Sequence, residues 1–359
     1  MPAQPTPSTE VSIIPSVADA PAPTSPGNTL AATSRADVVG ILVASSGFLG
    51  GGLLLVDLGC VAQGTGCASQ VLSLTHGQAS DVFADVSPTG TTVAFASDRQ
   101  STDQQLGLYT VRIDGAGIRR LTREDGFFVR PTWSPDGTKL AFQVSRGGRS
   151  SIGVIATDGG GVTLLPQVAG DMFFPAWSPD GEEIAFLTSD DYPHATSLGL
   201  YIADVHTGIT RRVGTTADTF QGPPVWSPNG QAILIGTNAD GKEGLAVVRT
   251  DSSVTTPVGG PDTSAYGWSP DANWILSSYS KDGTWRLRVR SLDGDRAFVI
   301  ADALPSAPIA IWSPDGKFIA YDSDIDGSSQ VYIASPDGSW SEKLTQADTD
   351  LYLNDVWTP

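Results

Sequence analysis

Three aspartates at alternate positions form the segment of this sequence that most resembles a metal-binding loop. Asp322, Asp324 and Asp326 precede Gly327, and alternating carboxylates before a glycine bend are typical of loops that bind Ca²⁺. The complete twelve-residue calcium loop ends on an acidic side chain, whereas that position is Ile333 here. A turn in which the carboxylates accept backbone N–H groups explains the same residues. The turn is the favoured interpretation, and a calcium site at the three aspartates is the alternative.

The two cysteines and three histidines of the chain suit no zinc site, because a structural zinc ion needs four nitrogen or sulfur ligands. Cys60 and Cys67 lie close enough in sequence to form a disulfide across a short loop, which would indicate an oxidising compartment. Two free thiols are the alternative. We therefore expect no cofactor apart from the calcium ion considered above.

Motifs for catalysis and for nucleotide binding are absent from the sequence. There is no G-x-S-x-G nucleophile elbow, and no phosphate-binding glycine loop follows a predicted strand. The 39 acidic residues, of which 33 are Asp, outnumber 21 basic ones and give a net charge of −18. So acidic a chain is a poor partner for nucleic acid, which is bound through clustered Lys and Arg. The 40 Gly and 25 Pro, together with Asp, are typical of turns and disfavour helical bundles.

One motif recurs along the chain at intervals of 42 to 49 residues. Its clearest form is Trp-Ser-Pro-Asp-Gly, and the copies are 86–90, 133–137, 177–181, 226–230, 268–272, 312–316 and the fragment 357–359. Pro presets φ, Asp or Asn accepts backbone hydrogen bonds, and Gly adopts the left-handed conformation of a turn. Ala272 replaces that Gly in one copy, so strain is predicted there. The Trp is expected to pack between neighbouring sheets.

Three short β-forming segments follow each turn motif, for example 93–96, 108–113 and 118–121. One strand before the turn and three after it make the four-stranded blade of a β-propeller. The first group (41–45, 53–56, 70–74) lacks a preceding strand, and the last strand (351–357) lacks followers. Their pairing would complete a seventh blade and close the ring. We predict an all-β, seven-bladed propeller over residues 36–359, with six blades as the alternative if 36–80 only flanks the ring.

The repeat resembles that of TolB-type propellers. The segments 133–142, 177–186 and 312–321 match its turn and second strand, and 323–327 with 330–333 resemble its following loop and third strand. The resemblance covers about residues 36–359 and implies a role in binding or gating. Family members include the periplasmic Tol-system protein, surface lipoproteins, sensor domains of kinases and the propellers of prolyl-oligopeptidase-like peptidases. The N-terminal α/β domain of the Tol protein has no counterpart here.

Residues 1–35 contain seven prolines and no aromatic residue, which predicts a disordered tether rich in Pro, Ala, Ser and Thr. The tether shows no basic segment followed by an apolar one, so neither a signal peptide nor an anchor is visible in this chain. Tethers of this kind join exposed domains to membrane anchors. The expected location is therefore extracytoplasmic, in the periplasm or at the cell surface.

Ligand binding is predicted on one face of the propeller, where the loops before the inner strands meet those between the second and third strands. Aromatic rings beside carboxylates suit a cationic or peptide ligand. The alternative is that the rings pack between blades and the acids only solvate loops. The residues predicted to line this face are Phe127, Phe128, Arg130, Phe173, Phe174, Phe220, Tyr266, Tyr352, Asp125, Asp171, Asp218, Asp262 and Asp350.

Taken together, these patterns predict a non-enzymatic, monomeric binding module for a protein, peptide or glycan. Neither nucleic acid binding nor direct membrane insertion is expected. One alternative is a metal-dependent propeller hydrolase or lyase. The other is a sensor or regulatory domain detached from a kinase or a peptidase.

Overall fold

The structure, a computed structural model, describes residues 30, 34–46, 51–64, 71–77, 79–101, 105–123, 125–168, 170–189, 198–214, 220–239, 242–252, 254–258, 264–348 and 350–357. Residues 31–359 form one compact unit. The predicted tether lies outside the described residues except for Leu30, Ser34 and Arg35. Arg35 begins a short 3-10 helix (Arg35–Asp37), and its guanidinium carbon lies 5.4 Å from the ring centroid of Trp340.

Almost all of the regular structure in the described ranges is β-strand. The first half of the chain contributes β1 (Ile41–Ser46), β2 (Leu53–Asp57), β3 (Val71–Ser73), β4 (Asp81–Val86), β5 (Thr92–Ser97), β6 (Gly107–Arg112), β7 (Arg119–Arg120), β8 (Phe127–Trp133), β9 (Lys139–Arg146), β10 (Arg149–Ala156), β11 (Thr163–Leu164), β12 (Met172–Trp177) and β13 (Glu183–Ser189). One α-helix, α1 (Gly59–Gln63), follows β2. No helix in these ranges has the length and apolar character needed to cross a membrane.

The second half continues the same pattern. Its strands are β14 (Leu198–Asp204), β15 (Thr210–Val213), β16 (Phe220–Trp226), β17 (Ala232–Ala239), β18 (Lys242–Arg249), β19 (Thr255–Val258), β20 (Ser264–Trp268), β21 (Trp274–Lys281), β22 (Thr284–Ser291), β23 (Ala297–Leu304), β24 (Ala310–Trp312), β25 (Ile319–Ser323), β26 (Gln330–Ala334), β27 (Ser341–Lys343) and β28 (Leu351–Trp357).

Antiparallel pairing arranges these strands in sequence order. Four-stranded sheets are formed by β4–β7, β8–β11, β20–β23 and β24–β27, and β12–β19 form an eight-stranded sheet. The eight-stranded sheet consists of two sets of four strands, β12–β15 and β16–β19. They are joined by a single residue pair between β14 and β16, Leu198 with Phe220. The remaining sheet has the order β28-β1-β2-β3, so the last strand of the chain pairs with the first, as the sequence predicted.

The turn motif joins the first strand of a four-stranded set to the second. Its polar residues hydrogen-bond to one another. In the copy at 134–137, the Ser134 hydroxyl donates to Asp136 at 2.6 Å and accepts the N–H of Lys139 at 2.9 Å. Hydrogen bonds from Ser134 and Thr138 lower the pKa of Asp136 to about 2. Gly137 takes a φ of 70°, which only glycine adopts at little cost. The turn interpretation therefore accounts for this carboxylate.

The motif tryptophans join neighbouring sets of strands. Trp133, Trp177, Trp226, Trp268 and Trp312 are largely buried, and in all but Trp312 the indole N–H donates to a backbone oxygen in the first strand of the preceding set. The four pairs are Trp133 with Asp85, Trp177 with Thr132, Trp226 with Ala176, and Trp268 with Val225, at 3.0–3.1 Å. The indole N–H of Trp312 is buried without a partner in the described part of the chain.

The apolar core lies between successive sheets. Phe95, Phe142 and Phe186 occupy equivalent places in β5, β9 and β13 and are fully buried. Each such side chain stabilises the fold by roughly 1.5–3 kcal/mol relative to exposure. The sheet containing β1 and β28 shares a core with β25 and β26, in which Leu42 packs in the same cluster as Phe318. The first strands β4, β8, β12, β16, β20, β24 and β28 contact one another in that order, and β28 contacts β4.

Candidate functional site

Local breaks in the first strands place side chains at the centre of the candidate site. The pairing register shifts between Val82 and Asp85 in β4, between Val129 and Thr132 in β8, and between Phe173 and Ala176 in β12. In β8 and β12 a Pro lies inside the shift, and Pro cannot donate to the ladder. A bulge of this kind redirects the side chain next to it.

The bulge residues are Phe83, Arg130 and Phe174, and each lies four positions before the Ser of its turn motif. All three adopt left-handed backbone conformations, with φ values of 55°, 54° and 56°. Such values are uncommon for residues other than glycine and cost free energy that the surrounding fold must offset. The same strained conformation thus recurs at one repeat position in three successive first strands.

Arg130 lies between the rings of the other two bulge residues. Its guanidinium carbon is 4.7 Å from the ring centroid of Phe83 and 4.9 Å from that of Phe174. Both distances are within the range of cation–π attraction, so one guanidinium links β4, β8 and β12. The Arg130 side chain is exposed to solvent, and partial desolvation by the surrounding protein lowers its pKa.

A cavity of about 450 Å³ opens beside this stack. The first strands β4, β8 and β28, together with Ser45, Leu106 and Ile309, line it, and most of the lining is apolar. Arg130 is the only charged side chain among the lining residues that the structure describes. The complete lining is Ser45, Val82, Phe83, Ala84, Leu106, Phe127, Val129, Arg130, Ile309, Tyr352, Leu353 and Asn354.

A polar network next to the cavity connects β28, β4 and β8. The carboxylate of Asp355 accepts the N–H of Val86 at 2.7 Å, and the amide oxygen of Asn354 accepts the N–H of Ala84 at 3.0 Å. Asp85 in turn accepts the backbone N–H of Trp133 at 2.6 Å. Burial and the neighbouring Asp355 carboxyl raise the pKa of Asp85 well above its ordinary value. These side chains satisfy backbone groups that the bulges release from the ladders.

Of the aromatic residues predicted to form the ligand-binding face, some line the cavity and others are buried in the core. Phe127 is 41% exposed and lines the cavity with Tyr352, whereas the adjacent Phe128 is fully buried against Phe142. Phe220 is also buried. Phe173 and Phe174 are half-buried, with ring centroids 6.3 Å apart.

Tyr266 is engaged within the fold. Its hydroxyl hydrogen-bonds to Ser278 at 2.9 Å and to the backbone oxygen of Pro308 at 2.5 Å. Burial raises its pKa. The structure therefore brings Phe127, Arg130, Phe174 and Tyr352 together around one site and uses Tyr266 to join β20 to the segment before β24.

Of the predicted acidic residues, those that the structure describes do not line the cavity. Asp171 is buried and accepts the N–H of Ser150 at 2.8 Å, and Asp350 accepts the N–H of Ser329 at 2.8 Å. Asp125 is exposed in the segment before β8. Asp218 and Asp262 lie outside the described residues.

The three aspartates of the calcium-like segment serve different partners. Asp322 is buried and accepts the N–H groups of Ile309 and Leu353 at 2.6 and 3.3 Å. Asp326 accepts hydrogen bonds from Tyr332 and Lys343, and one oxygen of Asp324 is buried without a partner in the described part of the chain. Within the described ranges, no three acidic, His or Cys side chains are grouped so that they could hold a metal ion.

Cys60 lies in α1 and is disulfide-bonded. Cys67, its predicted partner, lies outside the described residues.

Sequence reasoning missed Phe83, Asp85 and Asn354. Their motif copies are degenerate: 86–90 begins with Val rather than Trp, and 357–359 is a fragment. Aligning all seven copies on the Ser or Thr would have shown the signal, because the position four residues earlier is Phe83, Arg130, Phe174, Pro223, Ala265, Ile309 and Asn354. Four of these seven line the cavity.

Repeated sets of four strands, four of them linked to the preceding set by the indole hydrogen bond of a turn motif, define a propeller-type repeat protein. The family model described as "PD40: TolB beta propeller domain" matches residues 85–265. The chain belongs to this TolB β-propeller family.

Comparison with known proteins adds one relative by sequence and several by structure. The "Uncharacterized peptidase YuxL" of Bacillus subtilis (strain 168) is 38% identical over 78 residues, which are 22% of this chain and only 12% of that peptidase. TolB from Acinetobacter baumannii superposes with a TM-score of 0.55 at 14% identity, over 91% of this chain and 88% of that one. An oligogalacturonate lyase in complex with manganese gives 0.64 at 15% identity, over 82% and 90%. At such identities the structural similarities establish the fold alone.

Proposed function

We propose that this chain is a non-enzymatic, extracytoplasmic binding module built as a seven-bladed ring. Each set of four strands is one blade, and pairing of β28 with β1 closes the ring. The unbroken series of contacts among the seven first strands, which returns from β28 to β4, supports this count. Closure in this way leaves no unpaired edge where the chain ends meet.

The cavity beside the bulge residues is the proposed binding site, and its composition is the observation that carries the proposal. A volume of about 450 Å³ lies within the usual range for ligand pockets, which are mostly apolar with a few polar groups. Phe127 extends the apolar surface outward from the cavity, so a ligand longer than the cavity would remain in contact with protein. A peptide segment of a protein partner fits this arrangement better than a glycan, which would need more polar groups.

The lining also favours binding over catalysis. Its described residues include no His, Cys, Asp, Glu or Lys, so none of these groups lies in the lining as a general base to activate the hydroxyl of Ser45. The lyase and peptidase relatives show that this fold also occurs in enzymes. The proposal for this chain therefore depends on its own site and not on the fold.

An extracytoplasmic location is supported by the disulfide at Cys60, because disulfides persist in oxidising compartments. Cell fractionation of the native host, with detection of the full chain by antibody, tests this part. Recovery in the periplasmic or surface fraction is expected, and recovery in the cytosol alone would contradict it.

Capture of partners from an envelope extract tests the binding role. The immobilised full chain is compared with Phe127→Ala, which removes a cavity-lining ring, and with Ile209→Ala. Ile209 is 71% exposed in the turn between β14 and β15 and does not line the cavity, so it is the matched control. A stoichiometric partner retained by the wild-type chain and Ile209→Ala but lost from Phe127→Ala is expected. Equal retention by all three would reject the site, and no specific retention would reject the binding role.

A further inference from the structure

Arg130 combines three properties that an anion-binding group requires. Its guanidinium is held in place by the rings of Phe83 and Phe174, so little side-chain freedom remains to be lost on binding. It is accessible from the cavity. It also forms no ion pair or hydrogen bond with the described residues, although a guanidinium carries five N–H donors.

Some other arginines that lie near aromatic rings have carboxylate partners. Arg99 contacts the rings of Phe95 and Tyr109 and forms an ion pair with Asp81, and Arg286 near Tyr279 pairs with Asp302. Arg296 lies 5.5 Å from the ring centroid of Trp274 and, like Arg130, has no ion pair with the described residues, but it contacts one ring and does not line the cavity. Since none of the N–H groups of the Arg130 guanidinium bonds to the described residues, these donors remain for a ligand beside the two rings.

The backbone at Arg130 adds a second, independent sign of a built site. The left-handed conformation at φ 54° directs this side chain from the bulge, and Phe83 and Phe174 use the same conformation on either side. Strain of this kind is concentrated at ligand sites, where it positions groups in advance. The three bulges therefore build the stack, and β4, β8 and β12 hold it rigidly.

The apolar part of the cavity determines which chemical group can be attached to the bound anion. Phe83, Phe127, Val129, Leu106 and Ile309 form an apolar wall next to Arg130. An anion on a polar body, such as a sugar acid, would leave its hydroxyl groups without partners there. A carboxylate attached to an apolar group satisfies both parts of the cavity.

We propose that the cavity binds the C-terminal carboxylate of a peptide, with Arg130 as the anion-binding group and the apolar wall receiving the last side chain. This inference deepens the proposed binding function and rests on it. Arg binds a carboxylate through two parallel hydrogen bonds, which fixes orientation as well as charge. A peptide is favoured over a small free acid because the exposed ring of Phe127 continues the apolar surface beyond the cavity.

The test uses the full chain and a random N-acetylated octapeptide library, synthesised once with free C-terminal acids and once as C-terminal amides. Peptides retained by the protein are identified by mass spectrometry, and their affinities are measured by calorimetry. Free-acid peptides that end in an apolar residue are expected to bind, and their amides are expected to bind about tenfold to a hundredfold more weakly. 4-Phenylbutyrate serves as the probe for a small free acid.

Substitutions at Arg130 test whether this residue is responsible for the binding of free-acid peptides. Arg130→Met keeps an unbranched side chain and should weaken free-acid binding about tenfold to a hundredfold, while Arg130→Lys should give an intermediate loss because it lacks the fork. Arg146→Met is the matched control, since Arg146 also lies over a ring, that of Phe128 at 5.4 Å, but does not line the cavity. Thermal unfolding of each variant checks that the fold is intact.

Each contrary result has a defined meaning. Equal binding of acids and amides, unchanged affinity in Arg130→Met, or no binding of any free-acid peptide would overturn the inference. If 4-phenylbutyrate binds through Arg130 and peptides do not bind, the carboxylate comes from a small free acid, and the assignment to a peptide C-terminus is overturned. An envelope partner that depends on Phe127 but not on Arg130 would reject this inference and leave the proposed function standing.

Discussion

Trp133 donates two hydrogen bonds to Asp85, one from its backbone N–H to the carboxylate at 2.6 Å and one from its indole N–H to the backbone oxygen at 3.0 Å. The two residues lie in the first strands of successive sheets, β8 and β4. A single residue pair thus joins the turn motif of one repeat to the bulged strand of the previous one. The indole bond recurs in three further repeats. The carboxylate of Asp85, by contrast, is part of the polar network next to the cavity.

The indole bond can be measured by replacing Trp with Phe at two equivalent positions. Trp133→Phe loses the indole hydrogen bond to the backbone oxygen of Asp85, while Trp312→Phe removes an indole N–H that has no partner among the described residues. Both tryptophans are largely buried, so the loss of apolar contact is similar. We expect Trp133→Phe to lower the free energy of unfolding by about 1–3 kcal/mol more than Trp312→Phe does. Urea denaturation measures the difference, and equal losses would show that the bond contributes nothing.

Strain at Ala272 predicts a stabilising substitution. Ala272 occupies the glycine position of its turn motif with a φ of 59°, as its sequence predicted. Ala272→Gly should raise the free energy of unfolding by up to about 1 kcal/mol, because glycine adopts this conformation without steric cost.

The reverse change at an unstrained copy is the control for Ala272. Gly137→Ala places a methyl group 3.8 Å from Pro88 without a clash, so its effect reports the backbone alone. It should destabilise by about 1 kcal/mol, visible as a lower thermal unfolding midpoint. If Ala272→Gly lowers the midpoint as well, strain at this turn is not the controlling factor.

Asp322 predicts a pH dependence of stability. Burial raises its pKa to about 6 in the folded state, against 3.8 ordinarily, so the folded protein binds this proton more tightly than the unfolded chain. The stabilisation is therefore complete below about pH 4 and is lost as the pH rises through 6. The shift corresponds to about 3 kcal/mol between those limits. The unfolding free energy of the wild type minus that of Asp322→Asn should fall by about this amount from pH 4 to pH 7.

Asp326→Asn is the control for this pH dependence, because the pKa of Asp326 is shifted in the opposite direction to that of Asp322. The ion pair of Asp326 with Lys343 lowers its pKa, so its contribution to stability is lost as the pH falls. The corresponding difference for Asp326→Asn should rise with pH. A flat difference curve for Asp322→Asn would mean that the buried carboxyl is ionised as easily in the folded protein as in the unfolded chain.

Much of the fold could be predicted because its signals are local. Ser134, Asp136 and Gly137 hold one another within one turn, and apolar residues on both sides of the turn specify the paired strands. The predicted segment 108–113 is strand Gly107–Arg112, and 93–96 lies within Thr92–Ser97. Even the pairing of the last strand with the first could be inferred from counting strands per repeat.

The candidate site was harder to predict because side-chain direction depends on the bulges. Phe127 and Phe128 are adjacent and chemically identical, yet one lines the cavity and the other packs in the core. Strand alternation requires them to differ but does not say which points inward. Similarly, the sequence does not show that the carboxylates of Asp171 and Asp350 accept backbone N–H groups, because those contacts depend on how separate strands and loops come together.

The sequence by itself determined the turns, the strands and the repeat, because each depends on residues within a few positions of one another. Only the tertiary structure decided that Arg130 lies between Phe83 and Phe174, which are 47 and 44 positions away in the chain. That contact requires three bulges to turn their side chains towards one another across three sheets. No local propensity encodes such an arrangement, since it arises from how neighbouring sheets pack and where their ladders break.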